Sequence, residues 1–498
     1  MKRIAATLAA GALALQAAAP HAAEDKPQMA PEARPVPYDG KVFAPDPSYA
    51  TKPYDPDEQL KIYGGKSRVQ TPRPMLELGR SIYEGGPYDP SGGFLGAKNP
   101  TDQAFSIYGD WRTALAYIDD GGVEREILAT RLNLDVDWKL TATERIHAFF
   151  RPLDDGANFT RCERIAGEGK CRGEGDLKPE TLFFEGDMGA MLAGMRGRYS
   201  KFDLPFAAGK IPLLFQNGIW LEDAFNGFAF SLPARNSRRL DISNMDVTFF
   251  AGFANVDSGG VRDAAGKVAN GEADVYGLTT FIEANQGYWE LGYAYTAGES
   301  DKGFKDQSYH NVAIAFSRRY GGWLSNSVRV IHNFGQHRDA GFKQTADGTL
   351  LLIENSLVTH KPLTLVPYVN FFAGFDRPQS VARDPGAGGI LKNTGINFET
   401  DGLTGFPKLD DTANNTAGGA IGIQYLFSLQ KQIVFEVATV QTLGQAADRA
   451  VPGPQNAVGL RYQHNIDKSW LFRADAMFAE RNGLEDVGGV RIEIRKKF

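Results

Sequence analysis

The sequence predicts an all-β chain: a transmembrane antiparallel up-and-down β-barrel of about 18 strands, with 16 as the alternative count, preceded by a proline-rich segment. Three observations predict it. Apolar residues alternate with polar ones over nearly 400 residues from about Phe105 onward. Tight turns alternate with long polar connections, and the chain ends on the alternating stretch "VRIEIRKKF". Alternation at period two places one side chain set on each face of a strand. In a membrane barrel the outward set meets lipid and the inward set meets a polar lumen, so no long apolar run is needed.

Residues 1–23, "MKRIAATLAAGALALQAAAPHAA", have Lys2 and Arg3, then an Ala/Leu run, then small residues around Ala22 and Ala23. This is the layout of a secretory signal peptide, expected to be cleaved before Glu24. Residues 24–102 are rich in proline, carry "PYDP" twice and show no sustained alternation, so they can form few ladder hydrogen bonds. They read as a periplasmic or plug segment, and as the candidate dock for a periplasmic partner.

The barrel is expected over 103–498. In "FSIYGDWRTALAYID", Phe105, Ile107, Trp111, Leu115 and Tyr117 share one face, and Ser106, Asp110, Arg112 and Ala114 the other. In "LATRLNLDVDWKL", Leu128, Leu132, Leu134, Val136, Trp138 and Leu140 oppose Arg131, Asn133, Asp135, Asp137 and Lys139. Further strands are read near 145–152, 180–187, 204–215, 225–233, 245–254, 273–284, 288–297, 308–319, 323–335, 349–359, 364–375, 415–427, 432–442, 456–465, 470–480 and 487–498. The stretch 187–245 is the weakest: "GDMGAMLAGMRGRYSKF" reads as an irregular or briefly helical connection, and "SLPARNSRRLDISN" has little alternation.

"TATE", "NQG", "YGG", "THKP", "SLQK" and "IDKS" are tight turns; 153–179, 255–272, 298–307, 336–348, 376–414 and 443–455 are long connections. Short turns at one end and long loops at the other is the outer-membrane arrangement. Antiparallel strands also build soluble sandwiches around an apolar core. Aromatics near strand ends (Trp138, Trp289, Tyr425, Trp470, Phe498) and the lack of internal domain breaks favour lipid.

Cys162 and Cys171 are the only cysteines. In an exported chain they are expected to close "CERIAGEGKC" as a disulfide. Formal charge is −6 without basic clusters, which argues against a nucleic-acid partner. Haem, zinc and phosphate-loop motifs are missing: "GGVRDAAGKV" has no Ser or Thr after Lys267, and the seven His are scattered. No cofactor or metal is expected, and no nucleophile constellation marks an enzyme.

The final strand ending in Phe498 resembles the assembly signal of outer-membrane proteins, which implies the barrel-insertion machinery as a partner. The segment "FAAGKIPLLFQNGIWLEDAFNGFAFS", with "NMDVTFFAGFANVD" after it, resembles alginate-export-type and phosphate-porin-type barrels, in which a strand with a Gly-Lys step runs into a constriction loop. Gly209, Lys210, Asn217, Gly218, Glu222 and Asp223 carry that likeness over some 50 residues.

With apolar residues facing lipid, the pore-lining candidates are Arg112, Arg131, Arg151, Lys210, Arg329, Arg461, Arg473, Arg491 and Arg495, against Glu185, Glu283, Glu290, Glu354 and Glu436. The first and last three strands become neighbours on closure and carry most of the arginines. A basic wall facing a more acidic one sets selectivity; the alternative is paired charges that only stiffen the wall. The expected function is an outer-membrane channel, a porin for small hydrophilic and charged solutes, embedded in outer-membrane lipid. A polysaccharide export porin and a sheath for a periplasmic partner are the alternatives.

Overall fold

The computed structural model describes residues 72–79 and 103–498, apart from 142, 157, 301, 339–341, 360–363, 445–448 and 450. The signal-peptide reading and most of the proline-rich segment lie outside the described residues.

Eighteen antiparallel strands close on themselves. They are β1 (Ala104–Asp120), β2 (Glu124–Lys139), β3 (Arg145–Phe150 continued by Asn158–Ile165), β4 (Glu168–Arg172 continued by Pro179–Asp187), β5 (Pro205–Phe215) and β6 (Leu221–Ser237). Then follow β7 (Ile242–Val256), β8 (Ala273–Ala284), β9 (Gly287–Gly298), β10 (Tyr309–Tyr320), β11 (Leu324–Phe334) and β12 (Asp347–Leu357). The last six are β13 (Leu365–Arg377), β14 (Thr416–Ser428), β15 (Lys431–Thr442), β16 (Gln455–Asn465), β17 (Trp470–Arg481) and β18 (Val487–Lys497). Closure is the pairing of β18 with β1, with Leu115 opposite Ile492 and Ala114 opposite Glu493. A closed ring satisfies every strand's backbone groups, which lipid demands.

Outward positions are the apolar, solvent-accessible ones: Leu115, Leu128, Phe371, Ile421 and Val490 among them. The tight turns stand at one end. Between β4 and β5 the connection is helical, α1 (Met188–Arg196), capped by Asp187, whose carboxylate accepts from Ala190 N–H at 2.7 Å, and stopped by Gly197 in the left-handed region.

The region read as one loop, 153–179, is partly strand. β2 pairs with Arg145–Phe150 near one end and with Asn158–Ile165 near the other, so β3 is a single barrel position interrupted by a short excursion. The Cys162–Cys171 disulfide joins β3 and β4 above it, at directly paired positions. Similarly, β6 runs through Pro233 to Ser237, so both segments flanking the uncertain stretch are strands and the count of 16 does not apply.

Within the proline-rich segment, Leu76–Gly79 forms a short strand against Ala104–Ile107 at the start of β1. Just beyond it, Gly109 N–H donates to the Phe498 carbonyl at 2.8 Å, and Phe498 N–H donates back at 3.1 Å. The aromatic terminus thus completes the seam.

Candidate functional site: a lumen packed on one side and lined with arginine on the other

Two connections at the long-loop end fold into the barrel. The first is the β5–β6 turn, residues 216–220. Ile219 and Trp220 are fully buried, and the Trp220 indole N–H donates to Asn311 Oδ1 on β10 at 2.8 Å. Its ring lies over Gly292 of β9, where a Cβ would come within 2.6 Å of it, so only glycine leaves room. The second is the segment 378–415 between β13 and β14. Val381 N–H donates to Trp220 O at 2.8 Å, and Ala382–Arg383 pairs in parallel with Leu221–Glu222. Ser380 Oγ donates to Ile219 O at 2.7 Å.

These connections bring an apolar core into the lumen. Leu350, Leu352, Ile331, Val275 and Phe225, from inward positions of the wall, pack with Trp220, Val381, Leu391 and Phe398 from the inserted turns. Burying such side chains contributes roughly 1.5–3 kcal/mol each. Further along, Leu403 reaches β1 and β2, joining Ile118, Ile127 and Phe159. The long segment therefore crosses the lumen from the β13 side to the β1 side.

Glu436 fixes its middle. This fully buried carboxylate accepts from Ile396 N–H and Asn397 N–H, both at 2.9 Å, and from the Tyr368 hydroxyl at 2.5 Å. Beyond that point the segment meets arginines. Glu399 lies 2.6 Å from Arg461 Nη1 and 3.0 Å from Arg473 Nη2; Asp401 lies 2.5 Å from Arg491 Nη1. All three arginines also hold Asp475, at 2.6–2.8 Å. Burial pushes the Glu399 carboxyl up, but Arg461 and Arg473 outweigh it and hold it below the usual carboxylate range. Arg491 does the same for Asp401.

The remaining candidates fall into three groups. Arg112, Arg131, Arg495, Arg151 and Glu185 face inward with partial exposure. Arg112 pairs with Asp110 at 2.6 Å, Arg131 with Asp154 at 2.7 Å, Arg151 with Glu180 at 2.7 Å and Arg495 with Glu493 at 3.0 Å. Glu185 meets His147 Nε2 at 3.1 Å near the tight-turn end. Glu283, exposed, and Glu290, half-buried, share the inward face of β8 and β9.

In the second group are inward residues covered by the inserted turns. Arg329 is only 1% exposed, donating to Gln216 Oε1 at 3.0 Å and paired with Glu354 at 3.1 Å. Arg329, Glu354 and Glu436 hold turns in place.

Lys210 forms the third group and corrects the expectation. It stands opposite Leu182 and Asn226, sharing the outward face with Leu214, which is 60% exposed, while Ile211 and Leu213 turn in to the packed core. Its ammonium reaches the Pro179 carbonyl at 3.2 Å. The apolar face of β5 is the inward one because the lumen there is dry. Gly209, beside it, has φ of +128°, and a Cβ there would sit 2.5 Å from Leu182 O.

The other residues of that likeness hold the inserted turns. Glu222 pairs with Lys392 at 2.5 Å and Arg383 at 3.4 Å, and the Asn217 carbonyl accepts from Asn393 at 2.7 Å. Asp223, Asp257 and Asp384 bring carboxylate oxygens within 4.8 Å of one another, a grouping the sequence analysis missed because they lie on three separate segments. Asp223 accepts from Ala224 and Asp257 N–H, and Asp257 from Gly271 N–H, so backbone donors already serve them. Burial, then Asp384, raises Asp257 to about 6.

No family model matches the chain, and no curated protein matches it. Among solved structures it resembles the outer membrane protein OpdK from Pseudomonas aeruginosa, with a TM-score of 0.50 at 12% identity, covering 79% of this chain and 98% of that one. OprD from the same organism gives 0.49 at 9% identity, over 79% and 93%, and OccK5 (OpdH) gives 0.48 at 12%, over 79% and 98%. At such identity the likeness concerns the fold. It is that of an outer-membrane, porin-type barrel, and it lends no support to the alginate-export or phosphate-porin style of barrel. The described residues therefore form a closed barrel of the fold seen in that outer-membrane protein, with the tight turns together at one end.

Proposed function

We propose that the protein is a channel through which small hydrophilic solutes, anions ahead of cations, diffuse across the outer membrane. One observation carries this reading. The inserted turns pack most of the lumen against β6–β15 and reach across through Glu399, Asp401 and Leu403, and the inward arginines of β16–β18 and β1 that keep partial exposure (Arg112, Arg495, Arg473 and Arg461) stand beside what is left open. Barrels of this strand number leave a passage unless filled. Here the filling is uneven, so a solute passes along Arg112, Arg495, Arg473 and Arg461 rather than through an evenly lined tube.

Most of these arginines already have carboxylate partners, so the wall is a row of shared charges rather than bare cations. Each guanidinium offers five donors in a fixed fork and retains some after one pair is made. A passing anion can exchange among them without meeting a deep well, which is what conduction requires. The reaction is passage, with no bond made or broken.

Single-channel recording of the purified protein in a planar bilayer tests this. Discrete conductance steps with an anion-directed reversal potential in a salt gradient are expected; a barrel that inserts and passes no current overturns it. A second reading, a sheath for a periplasmic partner, draws on the Leu76–Gly79 strand, which ties part of the proline-rich segment to the barrel seam. Co-purification of a stoichiometric partner, lost on deleting 24–102, would favour it.

A further inference from the structure

The periplasmic rim carries positive charge out of keeping with an acidic chain. Its densest part is formed by two connections, β4–β5 and β6–β7. The first holds Arg196, Arg198 and Lys201 with Asp203; the second, together with the end of β6, holds Arg235, Arg238 and Arg239 with Asp241. All eight are exposed. Six cations against two acids stand on a chain whose formal charge is −6.

Apolar side chains are interleaved with them. Met195, Tyr199, Phe202 and Leu240 are exposed, Tyr199 at 85% and Leu240 at 68%. The first three share one short stretch with Arg196, Arg198 and Lys201. Nothing in the channel reading uses either turn.

Elsewhere on the same rim, cations sit on the aromatics of the membrane boundary. Lys496 Nζ lies 4.7 Å from the Trp470 ring centroid, and the Arg318 guanidinium 5.2 Å from that of Tyr320. Belt aromatics mark headgroup depth. Rings and aliphatic stems that dip toward acyl chains, with cations beside them in the headgroup layer, match an anionic lipid surface better than they match a protein face, whose apolar part would be contiguous.

We propose that this ledge, α1 with its following loop and the β6–β7 turn, binds the phosphates of anionic phospholipids in the inner leaflet of the outer membrane. Cations near an anionic leaflet each strengthen attraction about fivefold at low salt, and neighbouring basic groups suit a lipid with two phosphates. The bound lipid would seat the side of the barrel where the lumen packing begins, at β5 and β6.

The test uses the full chain, purified in detergent and offered equal amounts of cardiolipin and phosphatidylethanolamine, with retained lipid read by native mass spectrometry. Cardiolipin is expected to be retained preferentially, with retention falling as salt rises. The triple changes Arg196→Gln, Arg198→Gln, Lys201→Gln and Arg235→Gln, Arg238→Gln, Arg239→Gln should each weaken it by about fivefold per charge removed. Lysine in place of the arginines should restore it. Heat-modifiable gel migration verifies that each variant is a folded barrel, and bilayer conductance reports the channel reading separately. Equal retention of the two lipids, unchanged cardiolipin binding in the variant lacking all six cations, or equal competition by inorganic phosphate overturns the proposal. So does loss of a co-purifying acidic protein while lipid retention stays the same.

Discussion

The Glu399 carboxylate, carried by the segment that crosses the lumen, lies 2.6 Å from the Arg461 guanidinium on the opposite wall. That pair is where the inserted segment, apolar on either side of it, meets the arginines of the far wall. Glu399 is 36% exposed and Arg461 14%, and Arg461 and Arg473 each keep Asp475 as a second partner, so losing the Glu399 charge leaves neither guanidinium buried and unpaired.

Glu399→Gln should therefore leave the barrel folded while releasing part of two guanidiniums to the passage. A reversal potential shifted further toward anions is the expected readout in a salt gradient. An unshifted value would mean that Arg461 and Arg473 do not face the permeating path.

Glu436 calls for a different outcome. Replacing it by alanine strands buried donors at Ile396, Asn397 and Tyr368, a loss of about 3 kcal/mol. The segment 378–415 should become a substrate for added protease from outside intact cells, whereas the parent resists. Glutamine, which keeps an acceptor, should fall between the two.

Trp220→Ala removes the ring that keys the β5–β6 turn into the wall and leaves the Asn311 acceptor empty. A cost of about 3–5 kcal/mol is expected for truncating so large a buried side chain. Larger and noisier conductance should accompany it, since both inserted connections meet at this residue.

The three-carboxylate grouping gives a pH dependence. Asp257 is raised in the folded chain, so folding favours its protonated form; its contribution is most favourable below the unfolded value, near 4, and declines as pH rises through about 6. Asp257→Asn should raise the thermal midpoint at about pH 8 and change it little at about pH 4, as followed by the loss of β-sheet circular dichroism on heating. A rise of equal size at both would show that the cost of holding Asp257 ionised, from burial and then from Asp384, is not the cause.

How far the sequence could be read follows from the same geometry. Alternation in "LATRLNLDVDWKL" reports the wall faithfully because β2 has lipid outside and polar surroundings along much of its inner face. In β5, β8 and β12 the inner face is apolar too: Ile211, Val275, Leu350 and Leu352 pack against inserted turns. There, the rule that apolar means outward fails, and Lys210 shares the outward face instead of lining the lumen. Glu436 was legible as inward but not as an anchor, because its partners lie some 40 residues back along the chain. The disulfide needed only two cysteines on one short hairpin. The carboxylate trio had no local pattern to find.

One last consequence concerns the first strand. Its edge is divided between the two ends of the chain: Ala104–Ile107 take Leu76–Gly79, Gly109 takes Phe498, and Asp110–Asp120 take the closing strand. Head and tail together cap a surface that would otherwise template a stranger, since a row of unpaired backbone groups invites another molecule to add on. A barrel that is assembling and has not yet brought its last strand to β1 holds that edge open, so the interval before closure is when two copies are most able to tangle.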